Sequence, residues 1–150
     1  MRFTSVAILL VLLVAVDAQA RQVVRPLVPE GWVLKSSDAQ ARSRQFVSPD
    51  GHSTLTTHQT PANSRNLRVD IDRIAFHDGE QITYLRRAPA WIAVSGYREG
   101  KIFYRKSNLA CGGTRWNQVE LVYPRESKRA MDGPVTRIAR GMTDYGGDCQ

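Results

Sequence analysis

A chain of 150 residues carrying a formal net charge of +7 has room for one domain with a modest core. Its charge suits acidic partners rather than basic ones. It contains one long apolar run, at the N-terminus, so a helical protein that crosses the membrane repeatedly is excluded.

Met1 to Ala20 reads as a secretory signal peptide. Arg2 supplies the positive start, Val6 to Val16 is unbroken apolar, and Ala18-Gln19-Ala20 gives the small-x-small pattern that signal peptidase accepts. Eleven residues of helix span about 17 Å, too short for a hydrocarbon core of roughly 30 Å. Cleavage therefore leaves a mature chain from Arg21 to Gln150, expected to be periplasmic or secreted and not integral to a membrane. No Cys follows the cleavage site, which argues against a lipid-anchored form.

The mature part reads as one α+β domain, 21–150. Arg21 to Gly31, with Pro26 and Pro29, is an extended lead-in. Trp32-Val33-Leu34 predicts a first short strand, Ser36 to Ala41 a loop, and Arg44 to Val47 a second strand. Ser48-Pro49-Asp50-Gly51 is a turn, because Pro presets φ and Gly accepts positive φ. Ser53 to His58, rich in Thr, is the return strand, ended by Thr60-Pro61. Asn63 or Ser64 then caps a helix whose apolar face is Leu67, Ile71, Ile74 and Ala75, and His77-Asp78-Gly79 stops it.

Ile82, Tyr84 and Leu85 predict a short strand broken by Pro89, and Trp91 to Tyr97 a central one. After a tight turn at Arg98-Glu99-Gly100, Lys101 to Lys106 alternates, Ile102 and Tyr104 against Phe103 and Arg105. Asn108 to Thr114 reads as a loop around Cys111. Arg115 to Tyr123 alternates again, Trp116 and Gln118 opposing Asn117, Val119, Leu121 and Tyr123. Short connections make these strands an antiparallel meander. Glu126 to Met142 is helical, with Met131, Val135, Ile138, Ala139 and Met142 on one face. Pro134 should kink that helix or begin a second one. The expected architecture is an antiparallel sheet of two hairpins and a meander, with a middle and a C-terminal helix packed on it.

The two cysteines, Cys111 and Cys149, lie 38 residues apart. In an exported chain they are expected to pair, and closing that loop contributes roughly 4 kcal/mol in the chain-entropy picture.

Chemistry-bearing motifs are sparse. The spacings of His52, His58 and His77 identify no metal site. The sequence has no G-x-S-x-G elbow, P-loop, dinucleotide fingerprint, EF-hand loop or C-x-x-C pair, and no cofactor is expected. Positive charge concentrates in residues 81–142, with twelve basic and four acidic residues. Arg105, Lys106, Arg115, Arg129, Arg137 and Arg140 could form a basic patch beside Tyr104 and Trp116, suited to an anionic surface or polymer. The function expected from the residues is exported, noncatalytic binding. The alternative is a small secreted hydrolase using Cys111, His58 or Ser95.

The order Trp91-Ile-Ala-Val-Ser-Gly, Phe103-Tyr104-Arg105-Lys106, Leu121-Val122-Tyr123-Pro124 and Val135-Thr136-Arg137-Ile138 resembles that of small exported bacterial proteins. Its layout is similar to the PsbP-like α+β fold, with Gly31-Trp32 at the start and Tyr123-Pro124 before the last helix. The resemblance implies a binding or accessory role and brings no catalytic residues. The Cys111–Cys149 pair lies outside that pattern.

Overall fold

The Ser48-Pro49-Asp50-Gly51 turn reverses the chain as its residues require. Gly51 sits at φ 76° and its N–H bonds the Ser48 carbonyl at 2.9 Å. The Asp50 carboxylate accepts from the Ser48 hydroxyl and from the His52 N–H, so the turn is closed by side chains as well as backbone. The strands it joins are β2 (Ser43–Val47) and β3 (Thr54–Pro61). In this computed structural model, which describes residues 27–63, 65–141 and 149, they are followed by α1 (Leu67–Ala75), β4 (Gln81–Ala88), β5 (Trp91–Arg98), β6 (Lys101–Ala110), β7 (Arg115–Tyr123) and α2 (Lys128–Gly141), and preceded by β1 (Val33–Asp38). The proposed leader, Met1 to Ala20, lies outside the described residues.

The strands form one seven-stranded antiparallel sheet in the order β1-β2-β3-β7-β6-β5-β4. Two meanders, β1–β3 and β4–β7, are joined where β3 pairs β7 from Thr54↔Val122 to Pro61↔Arg115. The sheet is therefore not one continuous meander. The chain passes from the inner strand β3, through α1, to the far edge strand β4.

Side chains alternate across this sheet, so each face has its own core. On one face Leu55, Ala93, Ile102, Tyr104, Val119, Leu121 and Tyr123 pack with Leu27 and with Ile138 of α2. On the other, Ile92, Val94, Phe103 and Trp116 pack with Ile74 and Ala75 of α1. Asp70 fastens α1 to the sheet. Its buried carboxylate accepts from the Trp116 indole N–H at 3.3 Å, from Arg73 at 3.1 Å and from the backbone N–H of Asn63.

Several local expectations change in detail. β1 continues through Ser36 to Asp38, where a loop was expected. Every one of its residues is exposed, so it has no buried face to impose alternation on the sequence. The cap of α1 is Asn66, whose side chain accepts from Val69 N–H, while the Asn63 N–H is turned to Asp70. β6 runs on to Ala110, and Cys111–Gly113 is a single 3-10 turn. α2 is one helix with Pro134 inside it. The proline ring is buried in the face that packs on the sheet, and this packing offsets the one backbone hydrogen bond that Pro cannot make. The sulfurs of Cys111 and Cys149 are bonded, as the sequence led us to expect.

Candidate functional site

The register of the sheet places polar residues in adjoining rows on the α1 face. Arg105 of β6 stands opposite Glu120 of β7, and Glu120 stands opposite Thr56 of β3. Arg98 comes from the end of β5, and Glu80 from the turn between α1 and β4. The result is a buried ion-pair network. Arg105 is 2 % exposed and the Glu80 side chain 1 %, too little solvent for either charge to stand alone. The Arg105 guanidinium reaches Glu80 at 2.8 Å and Glu120 at 2.6 Å. Arg98 reaches the same two carboxylates at 3.0 and 2.7 Å. Arg105 also donates to the Ala75 carbonyl at the end of α1, at 2.9 Å, and stacks 5.2 Å from the Phe103 ring. Two cations and two anions thus balance. Burial pushes Glu80 up, but the hydrogen bond and charge of Arg105, helped by His77 and Arg98, hold its carboxyl below the ordinary value.

His77, Glu80 and Glu120 present ligand atoms within 4.8 Å of one another, close enough for a cation. The Arg105 guanidinium fills that position. One of its nitrogens lies 3.0 Å from His77 Nδ1, 3.1 Å from Glu80 and 2.6 Å from Glu120. A metal would have to displace a buried arginine held by three other groups, so the protein's own cation occupies this cluster.

At the margin of the network the sheet has a notch. β2 begins only at Ser43, opposite His58, whereas β3 continues to Pro61 paired only with β7. The gap beside Gln59, Thr60 and Pro61 is faced by the β1–β2 turn. Asp38 shapes that turn by accepting the N–H groups of Gln40 and Ala41, both at 2.9 Å. Arg42, at φ 47°, follows and brings its guanidinium to within 3.1 Å of Gln59 Oε1. The Gln59 amide is gripped on its other side by Asn117 at 2.7 Å, which fixes the partner that orients Arg42. The groove so formed measures about 560 Å³ and is lined by Gln40, Ala41, Arg42, Ser43, His58, Gln59, Thr60, Pro61 and Arg115.

Among the described residues this lining holds two arginines, a histidine and several neutral donors, and no carboxylate. The Thr60 hydroxyl accepts from Gln118 at 2.9 Å, which leaves its own proton to donate. His58 joins groove and network. Its Nδ1 is buried without a hydrogen-bond partner among the described residues. Burial depresses its pKa, Glu120 partly restores it, and Arg105 and His77 depress it further, leaving it below the ordinary histidine value.

The residues singled out from the sequence are dispersed. Arg105 is in the network, and Lys106, the next residue, is buried on the opposite face. There Lys106 donates to the Ala139 carbonyl in the last turn of α2 and lies 5.6 Å from the Trp91 ring. Arg129 and Arg140 are exposed on α2, Arg137 is half-buried there, and Arg115 alone of the six lines the groove. Cys111 is committed to the disulfide. The Ser95 hydroxyl donates to the Phe103 carbonyl at 2.7 Å, on a strand separated from His58 by β6 and β7. Cys111, His58 and Ser95 thus form no nucleophile–base pair. Sequence reasoning missed Arg42, Gln59, Thr60, Glu80 and Glu120. Only Arg105, a charge on the Phe103 side of an alternating strand, left a trace of the network. Compared with protein-family models and with curated proteins, the sequence matches none.

Proposed function

We propose that the mature chain is an exported binding protein that takes an anionic small molecule in the groove at the start of β2. The observation that carries this reading is the lining: Arg42, Arg115 and His58 border a space of about 560 Å³ that no carboxylate among the described residues lines. A volume of that size holds a ligand of several heavy atoms. Arginine forks suit oxygen anions, because paired N–H groups match the spacing of carboxylate, sulfate or phosphate oxygens. Export is supported by the N-terminal leader and by the Cys111–Cys149 bond, which persists in oxidising compartments. No helix among the described residues is long and apolar enough to cross a membrane. The PsbP-like layout remains part of the same proposal, as a scaffold for accessory binding.

The test is a titration of the mature protein with inorganic sulfate, followed by backbone NMR. Shifts are expected at Arg42, Ser43, His58, Gln59, Thr60 and Arg115. Arg42→Ala and Arg115→Ala should each weaken binding by about tenfold, in keeping with loss of one charge-assisted contact worth roughly 1.5 kcal/mol. Shifts confined to α2, or affinities unchanged in both variants, would place the anion elsewhere and end this reading.

A further inference from the structure

We propose that β4 is a docking edge for an extended acidic segment of another protein, which joins the sheet as a further strand beside it. The site lies at the far edge of the sheet from the groove and does not depend on the anion reading. β4 pairs only with β5, so the backbone N–H and C=O groups along its outer side have no strand to bond. Neither helix shelters it: beyond Ile82, no residue of β4 belongs to either core. Tyr84 is 45 % exposed and Leu85 38 %, and Arg86 and Arg87 are exposed as well. The other edge strand, β1, is interrupted by a register shift between Leu34 and Ser36. In β4 the shift falls at the start, between Ile82 and Tyr84, and there the Thr83 hydroxyl donates to the Ser95 carbonyl. Tyr84 to Ala88 is then a regular edge, held in register on β5 and free of Pro.

The side chains of this edge decide which strand fits it. Tyr84 and Arg86 stand opposite Ser95 and Ala93, and Ala93 belongs to the core under α2. Leu85 and Arg87 stand opposite Val94 and Ile92, which belong to the core under α1. Each face of the edge therefore offers one apolar residue and, two positions on, one arginine. Neither arginine pairs with a carboxylate among the described residues. An antiparallel partner matches both faces with two consecutive acidic residues followed by two apolar ones, because opposite charges across strands stabilise the pair. Like charges across strands destabilise it, and this argues against a copy of the same chain. In every antiparallel register that overlaps most of Tyr84–Ala88 with itself, Arg86 or Arg87 meets an arginine of the copy, directly opposite or on the diagonal. The two arginines thus blunt the edge against itself, as charged side chains do on natural edge strands, and leave it open to an acidic strand. The unpaired backbone selects a peptide over other polyanions, since a phosphate or sugar polymer cannot return the ladder of N–H and C=O groups.

The probe is a capped synthetic peptide with two Glu followed by Val and Tyr, flanked by Thr, titrated into the mature protein and followed by NMR. Shifts are expected along Gln81–Ala88, with cross-strand contacts between peptide and β4 protons, and none at the groove residues Gln59 and Thr60. The same peptide with Lys in place of Glu should bind on the order of tenfold more weakly, as two cross-strand pairs turn from attractive to repulsive. N-methylation of the peptide amides that face β4 keeps the charges and should abolish binding. In the protein carrying both Arg86→Glu and Arg87→Glu the preference should reverse toward the Lys peptide. Both residues are exposed, and a thermal melt checks that the fold is kept. Should that variant fail to fold, the Lys and N-methylated peptides still decide the matter on the unaltered protein. Absence of binding by the Glu peptide, equal binding of the Lys or the N-methylated peptide, or shifts centred on α2 would each overturn the proposal. Association of the protein with itself through β4 would put a second copy in place of the acidic strand and overturn it as well.

Discussion

Arg105 and Phe103 share the inner face of β6, one a buried cation and the other a buried ring. The guanidinium is tolerated there because each of its neighbours answers a specific need: Glu80 and Glu120 balance its charge, the Ala75 carbonyl accepts one more N–H, and the Phe103 ring covers it. Its Nε has no partner among the described residues, a small deficit beside the two ion pairs. Truncation would remove the buried cation and leave Glu80 and Glu120 with only the partly exposed Arg98 between them. Arg105→Ala is therefore expected to cost about 3–5 kcal/mol in urea unfolding at pH 7. Arg105→Lys should recover only part of it, since an ammonium cannot span both carboxylates with a planar fork. The pH dependence has a definite sign. Glu80 has a depressed pKa in the folded protein, so its stabilising contribution is complete above the unfolded carboxylate value of about 4.3 and is lost as pH falls through the folded value. In Arg105→Ala that contribution is reduced to what Arg98 and His77 supply, and the difference from wild type should narrow below about pH 4.5. A difference that stays constant from pH 7 to pH 3.5 would show that the loss is one of packing alone.

Among the elements, the β4–β5 pair depends on a single residue without a side chain. Ile82 stands opposite Gly96, and a Cβ at Gly96 would lie 2.0 Å from the Gln81 carbonyl oxygen. The obstacle is backbone, which cannot swing aside as a side chain does. Here Gly permits two strands to approach, just where β4 carries the irregularity between Ile82 and Tyr84. Gly96→Ala should push the start of β4 outward and strain Glu80 beside it. A cost of about 1–3 kcal/mol is expected, as for other overpacked sites, with amide exchange speeding up in β4 before β6 or β7. Equal protection in all three strands would show that β4 shifts without loss. The same strands show what the sequence could reveal. β7 was legible because its apolar Val119, Leu121 and Tyr123 recur at every second position, although both of its faces are buried from Trp116 to Val119, and α1 was legible because Leu67, Ile71, Ile74 and Ala75 repeat at helical spacing. β1 was legible only at its apolar start, since Ser36, Ser37 and Asp38 pair by backbone with no face to bury. The pairing of β3 with β7 has no local signal at all: Gln59 and Asn117 are 58 residues apart. The groove depends on that pairing, and so does the network, whose charges come from separate strands and a turn. No spacing along the chain could have assembled Arg42, His58 and Arg115.

For the molecule as a whole, the two meanders meet only along β3 and β7 within the sheet, and each face carries one helix. Most of the buried residues of both cores lie on β5, β6 and β7, while β1 is exposed throughout. Stability should therefore grade from the first hairpin to the centre of the second meander. The disulfide acts on one side of this gradient. It joins Cys111, in the turn between β6 and β7, to Cys149, 38 residues on, and the closed loop contains β7 and α2. The unfolded chain loses conformations when that loop is closed, by roughly 4 kcal/mol in the chain-entropy model, a large share of the 5–15 kcal/mol typical of a whole domain. Cys149→Ser is thus expected to lower the melting temperature substantially. Because the released segment lies beyond α2, amides of α2 should lose protection more than those of β2 and β3, which the loop does not enclose. Lys106, buried beneath the last turn of α2 with its ammonium on the Ala139 carbonyl, gives a second readout: the reactivity of that amine toward acylation should rise in Cys149→Ser. If exchange accelerates equally in β2, β3 and α2, the bond stabilises the fold globally and does not act through the helix it encloses.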